Sequence, residues 1–351
     1  MVEMAQPEPQ HGQVLVQAIR TGVCGTDREM TLRRIVDAPP GEDFLVLGHE
    51  GFGRIVAVRG DVGNYRVGDL VVPVVRRGCG ECNACNTDNA DMCFTGKYAE
   101  RGIHKQHGFF SEYYADFPRY LAKASPDIED VAVLGEPMSV SVKATGWALS
   151  FQERVRFNGA YSQQGKHENV LIAGHGPIGL LATFLFLANT DFNVYVLGRR
   201  PKGDPIVAYV EDIGARYLNS ENGEIEDFVK SYGGFFVIFE ATGLSALTFK
   251  LAQYLGRNGV MILTGVPRVS QTIEIDGDAI MASLVRYNQA IIGSVNACRG
   301  CFQDSLKQLA RFKEIWGEKF TRIITSRYKL RDYKEAFGGK RPDDIKTVIE
   351  F

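Results

Sequence analysis

The first third of the chain is written in short apolar runs with a two-residue alternation. Val14-Leu-Val-Gln-Ala-Ile and Gly53-Arg-Ile-Val-Ala-Val are the clearest of them, and the pairs Gly60-Asp61 and Gly68-Asp69 cut them apart. Runs of this length with turn residues between them predict a mostly-β, barrel-like domain from about Gly12 to Phe117. From about Asn169 to Asn296 the pattern changes. Asn169-Val-Leu-Ile-Ala, Asn193-Val-Tyr-Val-Leu, Phe235-Phe-Val-Ile-Phe, Gly259-Val-Met-Ile-Leu and Ala290-Ile-Ile-Gly read as buried strands. Helical stretches separate them, and that alternation predicts a parallel sheet covered on both faces. The tail after about Cys298 is helical and charged and closes on the strand-like Lys346-Thr-Val-Ile-Glu-Phe. No internal repeat or low-complexity tract interrupts this order.

Length fits two domains, since 351 residues can bury two cores. We expect residues 1–150 and 297–351 to make one domain and 151–296 the other. Composition adds little: 45% hydrophobic and 23% charged residues are ordinary for a globular chain. A net charge of −2 leaves no broad basic footprint for nucleic acid. The longest apolar run, about Pro177 to Ala188, is too short to span a bilayer. The opening Met1-Val-Glu-Met-Ala-Gln-Pro has neither the basic nor the apolar region of a signal peptide. A cytoplasmic, reducing setting is the expectation.

That expectation decides how the cysteines are read. Four of the seven, Cys79, Cys82, Cys85 and Cys93, fall in one loop with the spacing C-x2-C-x2-C-x7-C. Two disulfides would be unusual in a reducing compartment. Four thiolates on one short loop suit a structural zinc ion, in a lobe near residues 76–97. Such a closed shell holds a loop in shape and does no chemistry. Cys298-Arg-Gly-Cys301 forms a second short pair. A C-x-x-C beside a βαβ region can be redox-active, but with no further ligands near it a structural or incidental pair is the simpler reading.

A nucleotide signal lies in the second domain. Gly174-His175-Gly176-Pro177-Ile178-Gly179 follows one expected strand and opens an apolar helix. Gly174 serves the tight turn, Gly176 admits a pyrophosphate and Gly179 lets the helix pack close. The next strand ends in Gly198-Arg199-Arg200, where an NAD-specific site usually carries an acid. Two arginines can instead pair with a 2′-phosphate, which points to NADP; a merely solvated basic loop, with Lys202 nearby, is the plainer alternative. Candidate ligands for a second metal are scattered: Cys24 in Gly22-Val-Cys-Gly-Thr-Asp, His49 and Glu50 in Gly48-His-Glu, and Glu136 in Gly135-Glu-Pro. A mixed S/N/O set with one open position suits a catalytic zinc, although each residue alone has a plain structural reading.

Taken together, these segments resemble the zinc-dependent medium-chain dehydrogenase/reductase family, and within it the archaeal-type glucose (aldose) 1-dehydrogenases. The resemblance covers nearly the whole chain. It rests on Gly22-Val-Cys-Gly-Thr-Asp-Arg-Glu29, Phe44-Leu-Val-Leu-Gly-His-Glu50, Arg76-Arg-Gly-Cys79, Glu100-Arg-Gly-Ile-His104 and Gly293-Ser-Val-Asn296. It implies a GroES-like barrel catalytic domain joined to a Rossmann dinucleotide-binding domain. It also implies that Cys24, His49 and Glu50 hold a catalytic zinc, with Glu136 able to approach it, so that each chain would carry two zinc ions. Thr26 resembles the hydroxyl that contacts the reacting alcohol and passes its proton outward. Glu100 and Asn296 sit where this branch holds sugar hydroxyls. His175 to Ile178, Gly198 to Arg200, Thr264-Gly265-Val266, Ser294-Val295-Asn296 and Lys346 match segments that contact the cofactor, NADP or NAD.

The implied reaction is oxidation of an aldose at C1 to the aldonolactone, with zinc assisting alkoxide formation and nicotinamide accepting the hydride. A small-molecule aldose, with glucose or galactose foremost, is then the partner, and a homodimer or homotetramer the expected assembly. The chain departs from the family at Val75, where one branch has an asparagine, and at Arg286, which replaces a histidine; it also opens close to Pro7-Glu-Pro9, where a further β-hairpin is usual. A zinc alcohol or polyol dehydrogenase acting on a non-sugar substrate is the nearer alternative, and a non-catalytic cofactor-binding protein the remote one.

Overall fold

The computed structural model describes residues 1–155, 168–267, 270–338 and 341–351. The chain forms two compact units, Met1–Ser139 with Asn296–Phe351, and Val140–Val295. The division falls within the helix Gly135–Val155 and again between Val295 and Asn296.

In the first unit a seven-stranded sheet runs in the order Ile324–Lys329, Lys346–Glu350, Gln13–Val23, Glu50–Arg59, Leu70–Pro73, Leu121–Ala124, with Tyr113–Asp116 also paired to Gln13–Val23. All pairs are antiparallel except Ile324–Lys329 with Lys346–Glu350. The alternation in the sequence becomes burial: Val14, Val16, Ile55, Val71 and Leu121 point into one core with Phe109 and Tyr114. The two Gly-Asp pairs are turns, and Gly60 and Gly68 take positive φ there, which glycine adopts without strain. The strand Gln13–Val23 is the axis of the unit, since three strands pair with it.

A small sheet of Arg76–Arg77, Ala99–Arg101 and Lys105–Gln106 brackets the cysteine loop. It is fixed to the main sheet by charge. Buried Asp116 accepts from Arg77 Nη2 at 2.5 Å and Arg101 Nη2 at 3.2 Å. The Arg77 guanidinium also lies over the Tyr120 ring at 4.3 Å. Removing that one carboxylate would leave two buried guanidinium groups unpaired.

The second unit is a six-stranded parallel sheet. Its order is Arg216–Asn219, Asn193–Gly198, Asn169–Ala173, Phe235–Glu240, Leu255–Leu263, Ala290–Gly293. In chain order that is 3-2-1-4-5-6, the doubly wound arrangement in which the order reverses beside the first strand. Leu171, Tyr195, Leu197, Phe228, Phe235, Ile238 and Met261 fill one core. The helix Pro177–Asn189 is apolar on every face, and Gly179 through Phe186 are all buried. Among the described residues no helix is long and apolar enough to cross a membrane.

Candidate functional site

The first unit brings Cys24, His49 and Glu50 together although 25 residues separate the first two. The ladder between Gln13–Val23 and Glu50–Arg59 ends on the pair Gly22–Glu50, so residue 24 leaves one strand where His49 enters the other. One ligand atom from each of the three lies within 4.8 Å of the others. Gly22 cannot be larger: a Cβ there would fall 2.0 Å from Glu50 Oε2 and 2.9 Å from Lys346 Cε.

Asp27 holds this arrangement from behind. It is fully buried; its Oδ2 accepts from the Cys24 backbone N–H at 2.8 Å and its Oδ1 from the Gly48 N–H at 3.2 Å. The same Oδ1 lies 3.4 Å from His49 Nδ1. A proton on Nδ1 facing that carboxylate leaves the Nε2 lone pair for a metal. Burial pulls the His49 pKa down, yet Asp27 and then Cys24 outweigh it and raise the pKa well above its ordinary value. The pocket thus favours a cation, and its sulfur, nitrogen and oxygen donors fit zinc.

Two further charged groups close around it. Glu136, in the first turn of Gly135–Val155, is buried and its pKa is pushed up to about 7 by burial, with His49 opposing and Glu50 reinforcing the rise. Lys346 is 2% exposed, forms an ion pair with Glu50 Oε2 and donates to Val23 O at 3.3 Å. Its pKa is raised: burial lowers it, but Glu50 and then Cys24 prevail. Lys346, which the resemblance sets among cofactor contacts, thus lies against the Cys24–His49–Glu50 group. Thr26 is exposed, with its Oγ1 3.9 Å from Cys24 Sγ.

Glu100 and Asn296 also meet, 196 residues apart. Asn296 Nδ2 donates to Glu100 Oε1 at 2.7 Å, and Arg76 donates to the same oxygen from Nε at 3.0 Å and Nη2 at 2.9 Å. Asn296 holds a left-handed backbone, φ 57°, and its Oδ1 accepts from the Ala297 N–H at 2.8 Å. Val75 is buried and offers no polar group, and Arg286 is exposed at the end of the helix Gly277–Arg286.

The cysteine loop converges. The sulfurs of Cys79, Cys82, Cys85 and Cys93 lie within 4.8 Å of one another, and all four are free thiols, with Cys79 and Cys85 at 3.7 Å. The backbone N–H groups of Glu81 and Cys82 each donate to Cys79 Sγ at 3.4 Å. Thr95, first, and then these N–H groups hold the Cys79 thiol down at about 6, whereas burial pushes Cys85 up to about 12. Four sulfurs at this spacing fit a tetrahedral metal shell far better than two S–S bonds of about 2.05 Å.

In the second unit the expected cofactor residues collect at the carboxyl ends of adjacent strands. Ala173 is in register with Leu197 and Glu240, Glu240 with Leu263, and Leu263 with Gly293. His175, Gly198, Thr264, Gly265, Val266, Ser294 and Val295 therefore emerge at one edge, with Gly174 through Gly179 at the reversal point. Gly174 takes φ 105°, and a Cβ on Gly179 would meet Gly174 O at 2.1 Å. Gly179 thus lets the helix close on its own turn as well as on the sheet. Nothing lies within 4 Å of a Cβ built on Gly176, which leaves the helix N-terminus open to an anion. Thr264 donates from N and Oγ1 to Glu240 O, at 2.9 and 2.7 Å.

The two arginines differ. Arg200 donates from Nη1 to Asp204 Oδ2 at 3.1 Å, and its backbone N–H donates to the Tyr217 hydroxyl. Arg199 is exposed at the strand end. Asp27 and Asp204 were not singled out in the sequence. Asp27 lay inside the Gly-Thr-Asp run, and its burial was the missing signal.

Comparison with known proteins bears on this geometry. The family described as Glucose dehydrogenase C-terminus matches residues 129–351, and the Alcohol dehydrogenase GroES-like domain matches residues 10–126. Glucose 1-dehydrogenase of Methanocella arvoryzae is 35% identical over 351 residues, covering 100% of this chain and 95% of that protein. Glucose 1-dehydrogenase 1 of Caldivirga maquilingensis is 36% identical over 348 residues, covering 99% and 94%. A solved structure of Haloferax mediterranei glucose dehydrogenase with NADP, Zn and gluconolactone superposes with a TM-score of 0.86 at 32% identity, covering 100% of this chain and 95% of that one.

Proposed function

This chain belongs to the zinc-dependent medium-chain dehydrogenase/reductase family, in its glucose 1-dehydrogenase branch, and from that premise we propose the roles of its residues in oxidising an aldose at C1 to the aldonolactone. The observation that carries the assignment is the meeting of Cys24, His49 and Glu50 in the same unit as the Glu100–Asn296 pair.

Cys24, His49 and Glu50 would hold the catalytic zinc, whose Lewis acidity lowers the pKa of the anomeric hydroxyl. NADP, which accepts the hydride, would lie along the strand ends from Gly174 to Val295 with its pyrophosphate at the N-terminus of Pro177–Asn189. The chain's own residues do the rest. Glu100 presents its carboxylate to sugar hydroxyls, steadied by Arg76, and Asn296 adds an amide beside it. A site built on such groups rejects analogues that leave them unpaired. Thr26, exposed next to Cys24, moves the departing proton from the substrate hydroxyl to solvent through Oγ1. Asp27 keeps the His49 ring oriented, and Lys346 balances the negative charge of Glu50 and Glu136. Two zinc ions per chain follow, the second in the loop of Cys79, Cys82, Cys85 and Cys93.

Steady-state kinetics over a panel of aldoses, polyols and simple alcohols, with NADP and NAD, tests this reading. Turnover of aldoses, with Glu100→Ala losing more activity on sugars than on a simple alcohol, supports it. Activity on ethanol or a polyol and none on glucose, galactose or xylose would remove the chain from the sugar branch.

A further inference from the structure

The pair Cys298 and Cys301 has no place in the chemistry above. Its thiols lie 3.2 Å apart, and the Cys301 backbone N–H donates to Cys298 Sγ at 3.4 Å. Cys298 is the N-cap of an 18-residue helix, Arg299–Trp316, whose positive end favours a thiolate there. Both thiols are half-buried, and Cys298 lines a cavity of about 160 Å³. Among the groups lining it are three arginines, Arg76, Arg119 and Arg299, and one carboxylate, Asp88. The hydrogen bond with Cys301 holds the Cys298 thiol down at about 6, while Cys301 itself is pushed above the ordinary thiol range. One sulfur is thus the nucleophile and the other the resolving thiol.

We infer that Cys298 and Cys301 form a thiol–disulfide exchange site for an anionic low-molecular-weight disulfide, and that closing their disulfide weakens the adjoining Asn296–Glu100 contact. The Cys298 thiolate attacks one sulfur of the small disulfide, breaking its S–S bond and expelling one thiolate. Cys301, its proton lost to water, attacks the Cys298 sulfur, forms the Cys298–Cys301 bond and expels the second thiolate. Two cysteine thiols give up two electrons, the small disulfide takes them, and the two protons end on the two small thiols.

Arg119 supplies the selectivity, since Arg76 is engaged by Glu100 and Arg299 by Asp88 at 3.6 Å, and a carboxylate of the incoming disulfide can meet the Arg119 guanidinium at the cavity. The consequence for the site follows from chain position. Closing 3.2 Å to about 2.05 Å draws the N-cap toward the first helical turn, two residues from Asn296. Asn296 must hold both the Ala297 N–H and Glu100 in a left-handed backbone, so a shift there is felt at the carboxylate. This second part rests on reading Glu100 and Asn296 as sugar contacts.

The zinc-loaded enzyme, treated with oxidised glutathione and mapped by peptide mass, tests both parts. The expected result is a Cys298–Cys301 disulfide reversible by dithiothreitol, with the zinc content unchanged. Cys301→Ser should accumulate glutathione on Cys298, and Cys298→Ser should accumulate none at either position. Arg119→Ala should slow oxidation by oxidised glutathione several-fold and leave oxidation by neutral hydroxyethyl disulfide unchanged. Oxidation should raise KM for the aldose several-fold and leave KM for NADP alone. A pair that stays reduced, or a Cys301→Ser variant that traps nothing, overturns the exchange site. A disulfide that forms with no change in aldose KM overturns the coupling only. Absence of aldose turnover in the reduced enzyme would instead overturn the functional reading, because the thiol mapping does not depend on it.

Discussion

A single carboxylate at Asp27 ties Cys24, Gly48 and His49 together, the first two by backbone hydrogen bonds and the imidazole by its charge at 3.4 Å. Asp27→Asn keeps the shape and removes the anion that orients the imidazole. Losing such a partner typically weakens metal binding by about 10–100-fold. Competition with a chelator should therefore strip the catalytic zinc from Asp27→Asn well before the wild type, while the cysteine-loop zinc stays. Equal release from both proteins would show that Asp27 is only a packing group. The two arginines after Gly198 divide in a similar way. Arg200 is engaged by Asp204 and Arg199 is exposed, so we propose Arg199 as the main reader of a 2′-phosphate. A charge-assisted hydrogen bond contributes about 1.5–3 kcal/mol, roughly 10- to 150-fold in affinity. Arg199→Ala should raise KM for NADP by about tenfold or more on that scale and leave KM for NAD nearly unchanged. Parallel losses with both coenzymes would exclude a 2′-phosphate contact.

At the scale of elements, the cysteine loop behaves as one unit. A Cβ on Gly78 would fall 2.7 Å from Cys85 Sγ, so the turn before the cluster is already closed on it. Cys85→Ser should release about one zinc equivalent and lower Tm, because the binding energy of a structural metal is folding energy. Full metal content with an unchanged Tm would refute the assignment. The second unit offers a pH-dependent contact between elements. Glu226, on the helix Glu224–Tyr232, accepts from Lys250 at 2.7 Å and from the Tyr254 hydroxyl at 2.8 Å. Lys250, then Tyr254, hold its carboxyl down to about 2 from an ordinary 4.5. A depressed carboxyl stabilises the fold above its ordinary pKa and loses that effect as pH falls toward the depressed value. Glu226→Gln should therefore melt slightly below the wild type at pH 6, with the gap narrowing between pH 4.5 and 2. The group is partly solvated, so the effect is small; a gap that widens on acidification would reverse the sign.

Over the whole molecule, the proposed metal ligands Cys24, His49 and Glu50 lie in the unit of residues 1–139 with 296–351, and the proposed cofactor residues from Gly174 to Val295 lie in residues 140–295. His49→Ala should then abolish turnover and leave NADP affinity, followed by fluorescence quenching, nearly intact. A large loss of NADP affinity in that variant would mean that the units do not bind their ligands independently.

What the chain states outright is what is encoded within one or two adjacent elements. Five of the six strands from Asn169 to Gly293, the turn Gly174–Gly179 and the four-cysteine loop were legible, because a period, a positive-φ glycine or a ligand spacing acts over a few residues; the edge strand Arg216–Asn219, with no continuous apolar run, was not. Cys24, His49 and Glu50 were only candidates, since nothing in their local runs separates a ligand from a packed residue, and Glu100 and Asn296 entered only through resemblance. Tertiary structure decided what required register between distant strands. The ladder that ends at Gly22–Glu50 places Cys24 beside His49, and the neighbouring strand delivers Lys346 to Glu50. The same holds for Asn296 on Glu100 and for Arg200 turned to Asp204. A buried charge is fixed by partners that arrive from elsewhere in the chain, and sequence spacing carries no record of which ones they will be.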